Sequence, residues 1–160
     1  MELRPGNNKI KFNSAGVELA GNLYCPDDID SAAGRKAIVV SGPLATVKGQ
    51  AAGRLAETLG QAGFIALAFD FRTQGESIAE PTNYDNPASK GEDIQNAVSF
   101  LGTLDGVEKN GKIGLYDGGA YSMHGILSDR RVRAFASAVG HFSRRESNGY
   151  KEIITEDFTT

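Results

Sequence analysis

Two kinds of hydrophobic pattern follow one another along the chain. Early on, polar and apolar residues alternate in Lys9-Ile10-Lys11-Phe12. After the turn residues Asn13 to Gly16, alternation resumes in Val17-Glu18-Leu19-Ala20-Gly21-Asn22-Leu23-Tyr24. A period of two with one wet face predicts a hairpin of antiparallel strands near a sheet edge. The acidic stretch 26–31 and Ala32-Ala33-Gly34 predict a loop. Thereafter apolar residues come in continuous runs. Ala37-Ile38-Val39-Val40, Phe64-Ile65-Ala66-Leu67-Ala68-Phe69, Lys112-Ile113-Gly114-Leu115-Tyr116 and Val132 to Val139 read as strands covered on both faces.

Helical spacing fills the gaps between these runs. From Gly49 to Gly63, Ala51, Leu55, Leu59 and Ala62 fall on one stripe, with Gly60 or Gly63 as the stop. A second helix begins near Ser89 or Lys90, with Glu92 and Asp93 in a first turn where acids suit the dipole. Ile94, Ala97, Val98 and Leu101 form its apolar stripe. Ala120 to Leu127 predicts a third helix, after the sharp turn Asp117-Gly118-Gly119. Residues 71–90 form a polar excursion holding Pro81 and Pro87, and a loop that long in a compact domain is usually functional. The order β-β-β-α-β-α-β-α-β predicts a three-layer α/β/α sandwich, its sheet mostly parallel behind an N-terminal antiparallel hairpin. Ligands of such sheets gather at the carboxyl ends of the strands. Here those ends are Ser41-Gly42-Pro43, Asp70-Phe71-Arg72, Tyr116-Asp117-Gly118 and Gly140-His141.

Composition narrows this picture. The 160 residues are 40% hydrophobic and 23% charged, as expected of one globular domain over 1–160. A net charge of −3 offers no electrostatic footprint for nucleic acid or an anionic membrane, so neither is expected as a partner. No apolar stretch has signal-peptide or membrane-helix length, and a single Cys cannot form an intrachain disulfide, which predicts a cytoplasmic setting. The 20 glycines lie between apolar runs and mark turns rather than low complexity.

Cofactor motifs fail. Gly42 to Gly49 has the length of a phosphate-binding loop, but Val47 and Gly49 stand where the second glycine and the Mg²⁺-holding hydroxyl belong. No GxGxxG opens the first helix, and two His with one Cys show no metal-ligand spacing. No cofactor or metal is expected.

The pieces together resemble the α/β-hydrolase fold, in particular its dienelactone hydrolase-like branch of small serine or cysteine hydrolases. The resemblance runs from about Lys9 to Phe142 and leaves 143–160 as a polar tail. Its most specific part is Gly63 to Ser77, where a strand ending Phe69-Asp70 leads into Gly75-Glu76-Ser77. Further matches are Glu92-Asp93 with Ala97 and Phe100-Leu101, the strand start Lys112-Ile113-Gly114, and Asp129-Arg130-Arg131-Val132-Arg133-Ala134.

The resemblance implies a nucleophile on a strained strand-to-helix turn, a backbone oxyanion hole, an acid and a histidine base. The frame Gly114-Leu115-Tyr116-Asp117-Gly118 puts Tyr116 at the nucleophile's place, and tyrosine is mostly protonated near neutrality. A frame centred on Asp117 puts Leu115 where a small residue is required. Gly118-Gly119-Ala120-Tyr121-Ser122 matches the helix start that follows the nucleophile, as if the nucleophile itself were deleted. His124 and His141 match the family's base at neither position. Cys25 precedes the parallel sheet and is no nucleophile.

The weak catalytic candidates are therefore Asp117, Ser122 and His141. Asp117 also reads as a cap on nearby backbone N–H groups. The ligand-binding candidates are Ser41, Gly42, Leu44, Asp70, Arg72, Tyr116, Asp117 and Gly118. Leu44 would supply an oxyanion N–H, or Pro43 simply sets a turn there. Asp70 and Arg72 would pair with each other, or Arg72 would receive a carboxylate.

Three functions follow as expectations: a degenerate hydrolase relative binding a small molecule or partner, an active esterase with a non-standard or subunit-completed site, or a structural subunit. In this fold two more strands normally follow Val132–Val139, so the chain reads as truncated after its sixth strand. The exposed edge predicts a homodimer.

Overall fold

A computed structural model describes residues 2–29, 35–43, 45–77, 79–105, 107–115, 123, 129–138, 143–146 and 149–152. In chain order the elements are β1 (Gly6–Ser14), β2 (Val17–Cys25), β3 (Arg35–Ser41), α1 (Ala51–Gln61), β4 (Ile65–Phe69), α2 (Pro87–Gly102), β5 (Val107–Leu115), β6 (Val132–Ala138), β7 (Ser143–Glu146) and β8 (Gly149–Glu152). Six strands form one sheet in the order β1-β2-β4-β3-β5-β6. β3 pairs in parallel with β4 and β5, and β5 with β6. The hairpin joins them antiparallel, through β2 against β4. The expected sandwich is the observed one.

β4 shows how the layers are made. All five of its residues are buried. Ile65, Leu67 and Phe69 face the α2 layer with Ile94, Ala97, Val98 and Leu101. Ala66 and Ala68 face the α1 layer with Ala52 and Ala56. Period-two alternation thus feeds two cores from one strand. The α2 side is the larger, with Phe12 packed edge-on to Phe69 at 5.6 Å and stacked on Phe100 at 5.3 Å.

Several boundaries differ from the pattern. β1 is the expected half-wet edge strand, but β2 is an interior strand buried along most of its length. The α1 stripe is carried by Ala52, Gly53, Ala56 and Gly60, while Ala51 and Ala62 are exposed. The reason is proximity: a Cβ on Gly60 would lie 3.0 Å from that of Tyr24, so small residues must face β2. The helix ends at Gln61, and of the two expected stops it is Gly63 that turns the chain, at a φ of +93° that only glycine adopts cheaply.

α2 begins three residues before Lys90. Pro87 occupies its first turn, and the Asn86 side chain accepts from the N–H groups of Ala88 and Ser89. Its first turn holds no acid, so Glu92 and Asp93 do not serve the dipole. β5 starts at Val107, five residues earlier than its apolar run, because pairing with β3 carries the polar segment along. The expected third helix and residues 139–142 lie outside the described residues, apart from a helical Met123. Within the polar tail, β7 and β8 form a separate two-stranded sheet. No helix among the described residues is long and apolar enough to cross a membrane.

Candidate functional site

β3 and β4 end side by side, and the chain after each carries the candidate residues. After β3, Ser41 and Gly42 are buried. Pro43 closes a turn: its carbonyl accepts from Thr46 N at 3.4 Å and Thr46 Oγ1 at 2.8 Å. A Cβ on Gly42 would lie 2.7 Å from that hydroxyl, which accounts for the glycine. Leu44, the candidate oxyanion donor, lies outside the described residues, as do Tyr116, Asp117, Gly118, Ser122 and His141.

Asp70 continues the even positions of β4 past its end, onto the α1 face. Only 1% exposed, its carboxylate gathers two loops. Oδ1 accepts the Lys48 backbone N–H at 2.6 Å, and Oδ2 accepts the Lys48 ammonium at 2.6 Å and the Glu76 N–H at 3.0 Å. The ammonium also donates to Glu76 Oε2 at 2.5 Å. Burial opposes the charge on Lys48, but its hydrogen bonds to Asp70 and Glu76 prevail and raise its pKa above the ordinary value. The same bond from Lys48 lowers the carboxyl of Glu76, helped by the nearby charges of Lys9 and Lys11. Gly75 must be glycine here, since a Cβ would fall 2.3 Å from Asp70 Oδ2. Ser77, fully buried, accepts the Ala20 N–H at 2.8 Å and donates to the Asp70 carbonyl at 2.8 Å. The serine of Gly75-Glu76-Ser77 therefore stitches the loop to β2.

Arg72 goes the other way. It does not pair with Asp70; past β4 the alternation ends and its guanidinium crosses to the α2 face. There Nε and Nη2 donate to Asp93 Oδ1 at 2.8 and 2.6 Å, and Nη2 also reaches Glu92 at 2.8 Å. The Arg72 backbone N–H donates to Asp93 Oδ2 at 3.0 Å and Ser14 Oγ donates to Oδ1 at 2.6 Å. These bonds to Asp93 hold the Arg72 pKa above its usual value against burial. The carboxylate that Arg72 receives is thus the protein's own.

Lys48, Glu76 and Asp93 were not among the expected site residues. A signal for Lys48 did exist: it lies in the octet that imitates a phosphate loop, on the α1 side where Asp70 would point. A cavity of about 320 Å³ opens beside this cluster, lined by Lys9, Asn22, Lys48, Asp70, Gly75 and Glu76 among others.

A sandwich of this order, with a hairpin ahead of the parallel strands and organised loops at the ends of β3 and β4, defines the α/β-hydrolase fold, and the chain has that fold. A crystal structure of the hypothetical protein PA2218 from Pseudomonas aeruginosa superposes with a TM-score of 0.82 at 32% identity, covering 88% of this chain and 44% of that one. In sequence, PA2218 is 35% identical over 153 residues, 93% of this chain and 41% of the relative. The uncharacterized protein YcjY of Escherichia coli K12 is 35% identical over 136 residues, 82% of this chain and 44% of the relative. A dienelactone hydrolase from Anabaena variabilis shares the fold, with a TM-score of 0.70 at 22% identity over 87% of this chain and 65% of that one. No family model matches the chain. The chain spans 41–44% of the length of these two curated relatives. The resemblance carried by Gly63 to Ser77 thus holds at the level of the fold.

Proposed function

We propose that the chain is an α/β-hydrolase-like protein that binds a small molecule where β3, β4 and β5 end, without the usual nucleophile–histidine catalysis. One observation carries this reading. Ser41 at the end of β3 is level with Gly114 on β5, so β3 and β5 end together and the sequence after Leu115 follows the end of a central strand. That is the nucleophile's place in this fold, and the sequence there is Tyr116-Asp117-Gly118 rather than small-x-Ser or small-x-Cys. Asp70, which fixes the loops flanking the same rim, supplies a pre-arranged wall rather than a reacting group.

The shared fold with a dienelactone hydrolase favours a second reading, an active hydrolase using Asp117 or Ser122 with His141. Hydrolysis of p-nitrophenyl acetate separates the two. The binding reading expects no turnover above a heat-treated control. Turnover abolished by Asp117→Asn or Ser122→Ala would overturn it. A symmetric dimer across β6 accompanies this proposal, because among the described residues β6 pairs only with β5 and its side chains are half-buried or exposed. Light scattering at high micromolar concentration should give twice the monomer mass of 17.0 kDa; a monomer contradicts it.

A further inference from the structure

The cavity beside Asp70 extends from the rim toward the hairpin. Asn22 projects from β2 on the α1 face, in register with Ala68 of β4 and Lys9 of β1. It is 9% exposed, and its Oδ1 is buried with no hydrogen-bond partner. A buried polar atom left unpaired costs on the order of 1–3 kcal/mol, so an occupant of the cavity that donates to Oδ1 is favoured. Asn22 lines the 320 Å³ cavity described above. One water claims about 30 Å³ of liquid, so the space exceeds a single bridging water roughly tenfold.

The cavity's charges balance. Lys9 and Lys48 carry two positive charges, Asp70 and Glu76 two negative. An ammonium ligand would meet the two lysines and a carboxylate ligand the two acids, so neither ion is favoured. The unspent capacity is mixed. Asn22 Oδ1 and the second carboxylate oxygen of Glu76 accept; the third Lys48 proton and the Lys9 ammonium donate. Lys9 forms no ion pair among the described residues, although it is close enough to lower the Glu76 pKa. Groups that both donate and accept suit such a wall, and a hydroxyl does so in either orientation of the Asn22 amide.

We propose that this cavity binds a neutral polyhydroxylated molecule of about monosaccharide size. At ~4.8 Å per strand, β2 stands ~14 Å from β5, so Asn22 lies away from the strand end on which the proposed function rests. Binding there is independent of whether that strand end hydrolyses anything.

The test is a ¹⁵N-resolved NMR titration of the whole chain with D-glucose and glycerol, with acetate and methylammonium as charged controls. Glucose should shift the Asn22 side-chain amide and bind more tightly than either ion. Asn22→Ala should weaken binding about tenfold, the loss of one good hydrogen bond. Lys9→Ala, at an exposed position that folding does not need, should weaken it severalfold. Three results would overturn the proposal: no shift at Asn22 up to ~100 mM of either neutral probe, tighter binding of acetate or methylammonium, or equal glucose affinity in both folded variants. Ester hydrolysis reads the strand end, so the two proposals fail separately.

Discussion

Asp70 and Asp93 are chemically the same device used twice. Each is a carboxylate at most 1% exposed, and each is held by a cation that is itself largely buried. Their partners differ. Asp70 collects backbone N–H groups from two loops and borders an open cavity, so it shapes a rim. Asp93, on α2, collects side chains from the end of β1 and from the segment after β4, against the aromatic core. It locks one layer to another. A buried ion pair says little about function until the segments it joins are known.

The largest effect should follow from the sealed pair. Asp93→Ala removes the buried acceptor that Arg72 and the fully buried Ser14 share, leaving Arg72 only Glu92 and the Ser14 hydroxyl, and should cost about 3–5 kcal/mol in urea unfolding. If the pair only fills space, the double variant Arg72→Met with Asp93→Leu should recover most of that loss. Recovery no better than the single variant would mean that the geometry of the bonds matters. Asp70→Ala should cost less, about 2–3 kcal/mol, because water entering through the neighbouring cavity can rehydrate Lys48. Equal losses at the two sites would erase the distinction drawn between them.

Gly75→Ala sharpens the same point. It adds one methyl against Asp70 Oδ2 at a φ of +54° and should destabilise by about 1–3 kcal/mol.

The smallest effect depends on pH. Glu76 titrates below its ordinary value of 4.5, so its contribution is present above pH 4.5 and is lost as pH falls through the lower folded value. Lys48 titrates above 10.5, so its contribution is complete below pH 10.5 and is lost as pH rises through the higher folded value. Thermal melts of Glu76→Gln should therefore show a shallower acid decline than the parent chain. Parallel curves would show that the Lys48–Glu76 contact adds nothing.

The fold was legible because its strongest signals are the ones tertiary context cannot reverse. The continuous run ending at Phe69 must be covered on both faces, and it is. The α1 stripe was half legible: Leu55 and Leu59 pack against the core as expected, but Ala51 and Ala62 are exposed and the closest approach to β2 is made by Ala52, Gly53, Ala56 and Gly60. β7 and β8 were missed because their residues are polar. Asp70 was legible as a strand-end residue, but its partner was not. The expected Asp70–Arg72 pair assumed that neighbours in sequence stay neighbours in space, and the end of β4 sends them to opposite faces. Asn22 gave no signal, since an unpaired amide is visible only once its surroundings are packed.

The spacing of the Asp70 contacts along the chain also bears on the order of assembly. Lys48 and Glu76 lie 22 and 6 residues from Asp70 and Arg72 lies 21 from Asp93, whereas Ser14 and Asp93 are 79 residues apart. Loop-closure entropy alone disfavours the Ser14–Asp93 pairing by about 1 kcal/mol against the shorter ones. In refolding experiments Asp70→Ala should therefore slow folding, while Ser14→Ala should mainly hasten unfolding. The two ion pairs would form first and the N-terminal hairpin would dock onto them.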